Sequence, residues 1–504
     1  MSADSKQPMR FTGALDADWD MIRQSLDGIS DVIYRELTIG GVRRAVLVFI
    51  STNVNTDLIA KHIIEPLQKL DRKLAEQQQS YGVFTGIPII DPATELRPAI
   101  IAILSGKTLM LTEGLAEASI LNTKGGKQRS VQEPTSETVV RGPREGFTES
   151  LNVNVSLVRN KMKTTAFKTT SFSVGSLTKT NVVVGYLEHL AEPEMIKEIK
   201  RRVASIDMDG VLETGYIEEL IEDNPLSPFP QFQYTERPDT AAAQLLEGRF
   251  VIFVDGTPFV LMGPVSAWQM IQSSEDYYER ASIGTFLRWL RYGFLMIALF
   301  LPAIYIATIT FHHDMLPTNL ILSIAASREA IPFPALVEAL IMELSFEALR
   351  EAGVRLPKAV GSAVSILGAL VIGQSAVQAG IVSAPMVIVV SLTGIASFCL
   401  PRFNFAITIR LLRFPLMFLA GIMGLYGIIV GAVLIAGHMC KLRSVGVPYL
   451  SGVAPYRKSD EDDIFVRLPW WKQEKRPTSL TSRNRKRMGS TTQIDKLRKR
   501  VPGW

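Results

Sequence analysis

Residues 333–353 read FPALVEALIMELSFEALREAG, which sets Glu338, Glu343 and Glu347 among Leu, Ile, Met and Phe, with Glu351 following. At 100° per residue, Glu343 and Glu347 share one helical face. Arg350 is three residues beyond Glu347, close enough to pair with it. Acids in such company suit two roles. A helix lying at a membrane interface keeps them in water, whereas a helix lining a water-filled path uses them to attract cations. Pro332, Pro334 and Pro357 bound this helix. Gln374 and Gln378 stand one turn apart in a run without charge, so each needs a protein partner or a cavity. They suit interhelical hydrogen bonding or the lining of a pore or gate. Glu338, Glu343, Glu347, Gln374 and Gln378 are therefore the pore candidates.

Other chemistry is thin. GGKQRS at residues 125–130 lacks the spacing of a phosphate-binding loop, and no apolar strand feeds into it. His312, His313 and Asp314 have no second cluster to complete a metal-ligand set. DMDG at residues 207–210 is too short for a calcium loop. No GxSxG appears, and the soluble part has no Cys/His pair. No catalytic residue, metal site or cofactor is expected, and nothing supports an enzyme.

The elements that must position these residues are of two kinds. The chain has 504 residues, 20% charged and 47% apolar. Residues 289–440 hold only 14 charges, and residues 359–401 hold none. That excludes a wholly soluble protein and a disordered one. With two cysteines, Cys399 and Cys440, it is not a disulfide scaffold either. A membrane span needs about 20 apolar residues. Residues 289–311 and 414–440 supply one each, and 359–401 supplies enough for two. The N-terminus has no signal-peptide pattern. Arg280, Arg288 and Arg291 precede the first span, and HHDMLPTN after it carries no Lys or Arg, which places the N-terminal region inside. From Arg467 to Trp504 there are 12 basic residues against Glu474 and Asp495. Such a tail after the last span reads as a cytosolic anchor near anionic lipid, not as a nucleic-acid arm. Both ends inside make the number of crossings even, four or six.

Small residues mark packing faces. Gly361, Ser365, Gly368 and Gly373 form one, and Ala420, Gly424, Gly427 and Gly431 form another, with Gly427 and Gly431 in GxxxG spacing. Residues 401–413, with Arg402, Arg410 and Arg413, read as an interfacial helix. In the polar half, strands are expected at 45–50, 99–104, 108–111, 181–186, 250–254 and 259–262, and helices at 56–70, 144–162 and 193–204. Residues 122–138 read as a linker or long loop. The expected architecture is an α/β cytosolic region of two small subdomains (1–140 and 141–287) and an all-α multi-span membrane domain (288–440). A cytosolic basic tail (441–504) follows.

Longer blocks carry a family resemblance. They are RGPREGF at 141–147, TERPD at 235–239, LLEGR at 245–249 and FVDGTPFVL at 253–261. SSEDYYER at 273–280, residues 323–361, IGQSAVQAGIVS at 372–383 and GVPYL at 446–450 complete the set. In this order the chain resembles the A subunits of GerA-type spore germination receptors, from about residue 31 to about 478. The resemblance implies residence in the spore inner membrane. It implies a transporter-like B subunit and a lipoprotein C subunit as partners, and a homo-oligomer forming a nutrient-gated ion channel that starts cation release. Two alternatives stay open: a non-conducting scaffold that assembles the receptor, and a related subunit of the dipicolinic-acid release machinery. The partners expected are these subunits and membrane lipid, with no nucleic acid.

Overall fold

The computed structural model describes residues 9–77, 84–87, 92–125, 133–134, 137–357, 373–457, 463–481 and 484–487. Two antiparallel sheets build the polar half. The first contains β1 (Val32–Ile39), β2 (Arg43–Ile50), β3 (Thr108–Thr112) and β4 (Ser119–Leu121), paired in that order. Val42 N–H donates to the Ile39 carbonyl at 3.0 Å across Gly40 and Gly41, both at positive φ, as a tight hairpin turn requires. A Cβ on Gly40 would stand 2.7 Å from the Ala75 Cβ. Helices Leu15–Ser25 and Leu96–Leu104 cover one face of this sheet, and the helical stretch from Thr56 covers the other. With both faces buried, β2 is apolar without alternation.

The second sheet runs β5-β6-β8-β9-β7, from β5 (Phe167–Val174), β6 (Thr180–Leu187), β7 (Gln233–Thr235), β8 (Phe250–Val254) and β9 (Val260–Gly263). Helices Leu151–Lys161 and Pro238–Leu246 lie on one side. Pro193–Ala204 and Thr214–Ile221 lie on the other. A buried Arg159–Asp31 ion pair at 2.7 Å joins the two sheet units.

Two expectations fail here. Residues 99–104 are the end of a helix, not a strand. AIIAIL is too short to show a period, but with Leu96 included the buried positions Leu96, Ala99, Ile100 and Ile103 fall on one helical face. The helix expected from residue 144 starts only at Leu151. Before it the chain is held out of helix by Thr148, whose N–H donates to Asn154 Oδ1 at 2.8 Å.

The apolar half is helical: Ala281–Thr310, Thr318–Arg328, Ala335–Arg355, Ala384–Phe398 and Phe403–Lys441. Among the described residues, Ala281–Thr310 and Phe403–Lys441 are long and apolar enough to cross a membrane. The second is not straight. Gly424 sits at φ 61, ψ −143, and the chain reverses there. A Cβ on Gly427 would lie 2.2 Å from the Leu419 carbonyl oxygen, and one on Gly431 2.3 Å from Leu416 Cδ2. Fifteen residues of straight helix would separate Leu416 from Gly431 by about 22 Å. The expected single span at 414–440 is therefore the two arms of a helical hairpin, and its glycines pack one arm on the other. Residues 401–413 are not a separate interfacial helix. From Phe403 they are the first turns of this hairpin, and Arg410 and Arg413 are buried. The C-terminal end of the helical half returns to the edge of the second sheet. Ser444 Oγ donates to the Gln231 carbonyl at 2.6 Å and accepts from Val265 N–H at 3.0 Å.

Candidate functional site

Helix Ala335–Arg355 starts after Pro334 and runs antiparallel to the first arm of the hairpin. A Cβ on Gly421 would stand 2.7 Å from Leu336 Cδ2, while seven residues further along Glu343 meets Arg413. This arrangement sorts the acids against arginines. Glu343 Oε2 lies 2.6 Å from Arg413 Nη1, with each side chain 1% exposed. Arg413 Nε also donates to the Ala298 carbonyl at 2.8 Å, which ties three helices at one point. One turn on, Arg410 Nη1 lies 3.1 Å from Glu347 Oε2, and Arg350 approaches the same oxygen at 3.5 Å. Glu347 keeps 32% of its side chain exposed. At the other end, Glu338 is fully buried. Its Oε1 accepts from the Ser383 backbone and hydroxyl, and its Oε2 lies 3.4 Å from Arg328 Nε.

Burying such charges is costly, and pairing offsets only part of the cost, because Glu338 Oε2, Glu343 Oε1, Arg413 Nη2 and Arg328 Nε are buried without a hydrogen bond. The acids thus form a charge-paired ladder whose arginines, Arg350 apart, come from other segments. Gln374 and Gln378 lie outside this ladder, both on the exposed surface. Gly361 and Ser365 lie outside the described residues. His312 stands against the Gly424 reversal, where a Cβ would meet its ring at 2.7 Å. Arg350 pairs with Glu347 as the sequence spacing expects, whereas the partners on other segments, Arg328, Arg410 and Arg413, were missed, although the signal for the last two was present. Glu343 and Glu347 are four apart in one apolar stretch, and Arg410 and Arg413 are three apart in another, so two antiparallel helices can pair both at once.

A second network lies where the α/β region meets the helices. Asp276 is fully buried, with Oδ1 2.8 Å from Arg291 Nη2 and Oδ2 3.6 Å from Arg288 Nε. Arg288 Nη1 reaches Asp463 Oδ1 at 3.1 Å, and Tyr277 donates its hydroxyl proton to Asp463. Burial and the adjacent Asp463 push the Tyr277 phenol well above its ordinary range. Beside it, Arg237 Nη2 lies 2.8 Å from Asp239 Oδ2 and donates to the Pro143 carbonyl at 2.9 Å, while the Tyr278 hydroxyl donates to Asp239. Gly142 is at φ +140, and a Cβ there would strike the Tyr278 ring at 2.7 Å. Three blocks far apart in sequence, RGPREGF, TERPD and SSEDYYER, therefore meet at the root of helix Ala281–Thr310. Glu137 joins them from the expected linker, paired with Arg402 at the root of the hairpin. Asp463 belongs to a strap that crosses the first helix, where Trp289 Nε1 donates to the Phe465 carbonyl at 3.0 Å. A cavity of ≈ 230 Å³ opens here, lined by Arg249, Gln269, Tyr277 and Tyr278 among others. The described part of the tail packs against the α/β region. Arg476 donates to the Leu246 carbonyl at 2.8 Å, and Arg487 pairs with Glu247.

Comparison with known proteins gives a consistent result. The model of the family described as Bacillus/Clostridium GerA spore germination protein matches residues 20–479. An uncharacterized membrane protein, YfkQ, of Bacillus subtilis (strain 168) is 54% identical over 91% of this chain and 90% of its own length. Spore germination protein KA of the same organism is 44% identical over 96% of this chain and 90% of its own length. The crystal structure of the N-terminal domain of the A subunit of the Bacillus megaterium spore germinant receptor GerK3 is 30% identical. It covers 51% of this chain and 98% of that one, with a TM-score of 0.41.

Proposed function

The chain belongs to the GerA family of spore germination proteins, and from that premise we propose that it is a membrane subunit of a spore nutrient germinant receptor. It resides in the spore inner membrane with a transporter-like B subunit and a lipoprotein C subunit. It oligomerises, and the assembly is a nutrient-gated channel that starts cation release. The observation that carries the channel reading is the ladder on helix Ala335–Arg355, where Glu338, Glu343 and Glu347 are held by Arg328, Arg413 and Arg410. In this reading the ladder is the closed state. Opening exchanges arginine for a passing cation, beginning at Glu347, the acid that keeps contact with solvent. The roots of both long helices on one α/β domain support an even number of crossings with both ends cytosolic.

The buried, neutralised state of Glu338 and Glu343 favours a second reading, a non-conducting scaffold whose helices are locked by ion pairs. Nutrient-triggered cation flux from the reconstituted receptor separates the two. The channel reading expects flux that falls in Glu347→Gln at unchanged protein level. Wild-type flux and selectivity in a Glu343→Gln/Glu347→Gln double variant would remove these acids from any path. No flux from the complete wild-type complex would leave the scaffold. Reporter fusions at residues 280 and 504 check the topology and should agree in sign.

A further inference from the structure

The loop after helix Thr214–Ile221 reads EDNPLSPF, residues 222–229. Its second half is plugged into the helical domain. Phe229 is buried in the helical core, stacked on His438 at 5.9 Å and close to Phe405 at 6.3 Å. Ser227 Oγ lies 2.8 Å from His438 Nε2, and Thr408 Oγ1 donates to the Pro228 carbonyl. Thr408 and His438 lie near the open ends of the two hairpin arms. The loop is thereby fixed at the depth where the apolar helices end and the polar domain begins.

One residue of this loop points the other way. Ser227 N–H donates to the Asn224 carbonyl at 3.1 Å, closing a turn with Pro225 at its second position, where proline's fixed φ suits it. That turn holds Leu226 outward at 95% exposure. Leu220, 54% exposed, follows Tyr216 by one turn on the same helical face. Leu220 shares a groove with Lys441 and Arg443, both exposed, just past the last apolar helix. Of the neighbouring acids, Glu198 pairs with Arg201 and Arg202, Asp223 pairs with Arg202 and accepts from Gly446 N–H, and Glu222 accepts from Gln231 N–H, while Glu219 is exposed beside Leu220. Lys441 and Arg443 have no carboxylate partner among the described residues.

An exposed leucine at the end of a membrane helix, with unpaired cations beside it, is what an interfacial anchor needs. The apolar side chain enters the acyl boundary, and the cations meet lipid phosphate. We propose that Leu226 and Leu220 seat in the headgroup–acyl boundary of the bilayer, with Lys441 and Arg443 on anionic headgroups. This surface makes the α/β domain a membrane-bound unit in its own right. The proposal rests on the reading of the apolar helices as membrane spans.

The test uses the full chain with Cys399→Ser and Cys440→Ser, labelled with bimane at single introduced cysteines. The protein is reconstituted in phosphatidylglycerol vesicles with phosphatidylcholine brominated on its acyl chains. Val433→Cys, on the second hairpin arm and 65% exposed, reports the spans. Leu177→Cys, 80% exposed, follows β5, four strands and about 20 Å from β7, whose Gln233 stands against Arg402, and reports the aqueous side. Quenching at Leu226→Cys within a factor of about two of that at Val433→Cys, repeated at Leu220→Cys and absent at Leu177→Cys, is expected. Quenching at Val433→Cys alone overturns the anchor and leaves the spans standing, as when a second copy of the chain covers Leu226. No quenching at any position overturns the spans and the anchor together. Equal quenching at all positions, Leu177→Cys included, overturns the anchor as partitioning of the label.

Discussion

Glu343 and Arg413 meet at 2.6 Å with 1% of each side chain exposed, seventy positions apart in sequence. Neither charge has water to fall back on, so the pair is worth more in its breaking than in its forming. Glu343→Gln or Arg413→Gln strands one buried charge, and each should cost about 3–5 kcal/mol. The double variant strands none and should cost clearly less than the sum of the two. Thermal unfolding of the solubilised complex in a double-mutant cycle measures this. Additive losses would show that the two side chains act independently.

The reversal at Gly424 makes a second demand. At φ 61, ψ −143 an L side chain is strained, and a Cβ would also strike the His312 ring at 2.7 Å. Gly424→Ala should therefore destabilise by about 1–3 kcal/mol. Gly427→Leu and Gly431→Leu should cost at least as much, because the added atoms meet a backbone carbonyl and the Leu416 side chain. Yield and melting temperature of the purified chain report this. Normal values in Gly431→Leu would mean that the arms can separate without loss.

These relationships mark the limit of what the sequence makes legible. Strong periodicity carried through. Helix Pro193–Ala204 and β8 fall where the apolar pattern puts them, and prolines set the bounds of helix Ala335–Arg355. Short or weakly patterned segments did not. β1 and β5 carry polar residues on an exposed face and show no apolar run, and β7 is only three residues long. The acids were visible because charge in an apolar stretch is costly. Arg410 and Arg413, one turn apart beside Phe and Leu, have the local pattern of an interfacial helix. Only the antiparallel packing of two helices, which no local pattern encodes, turns them inward. The hairpin was hidden for a similar reason: a glycine in GxxxG context reads as a packing face, and nothing local says that the partner is the same helix.

At the junction, the Tyr278 hydroxyl donates to Asp239, which also holds Arg237. Tyr278→Phe removes a donor from a carboxylate that keeps one cation. The loss should be modest, about 1–2 kcal/mol. Asp239→Asn leaves buried Arg237 without its carboxylate and should cost more, about 3 kcal/mol or above. The order of the two variants in thermal stability is the check. A larger loss in Tyr278→Phe would mean that the aromatic ring against Gly142, not the charge, holds the junction.

The last prediction concerns pH. Burial raises Glu218 to about 8 and Glu222 to about 7, each also pushed up by neighbouring carboxylates. Both are therefore protonated in the folded chain at pH values where the unfolded chain has already ionised. The folded state binds more protons between the ordinary carboxylate range and about pH 8, so stability falls as pH rises through that window. Below the unfolded values both states are protonated, and above about 8 both are ionised, so the slope vanishes at either end. Glu218→Gln fixes the neutral form. It should leave stability near pH 5 almost unchanged and raise it near pH 8 by about 1–3 kcal/mol, flattening the profile. Denaturant unfolding of wild type and variant across this range reads the difference directly. A wild-type profile that rises toward pH 8, or a Glu218→Gln profile parallel to it, would show that Glu218 is ionised in the folded protein and that its surroundings supply water or a cation instead.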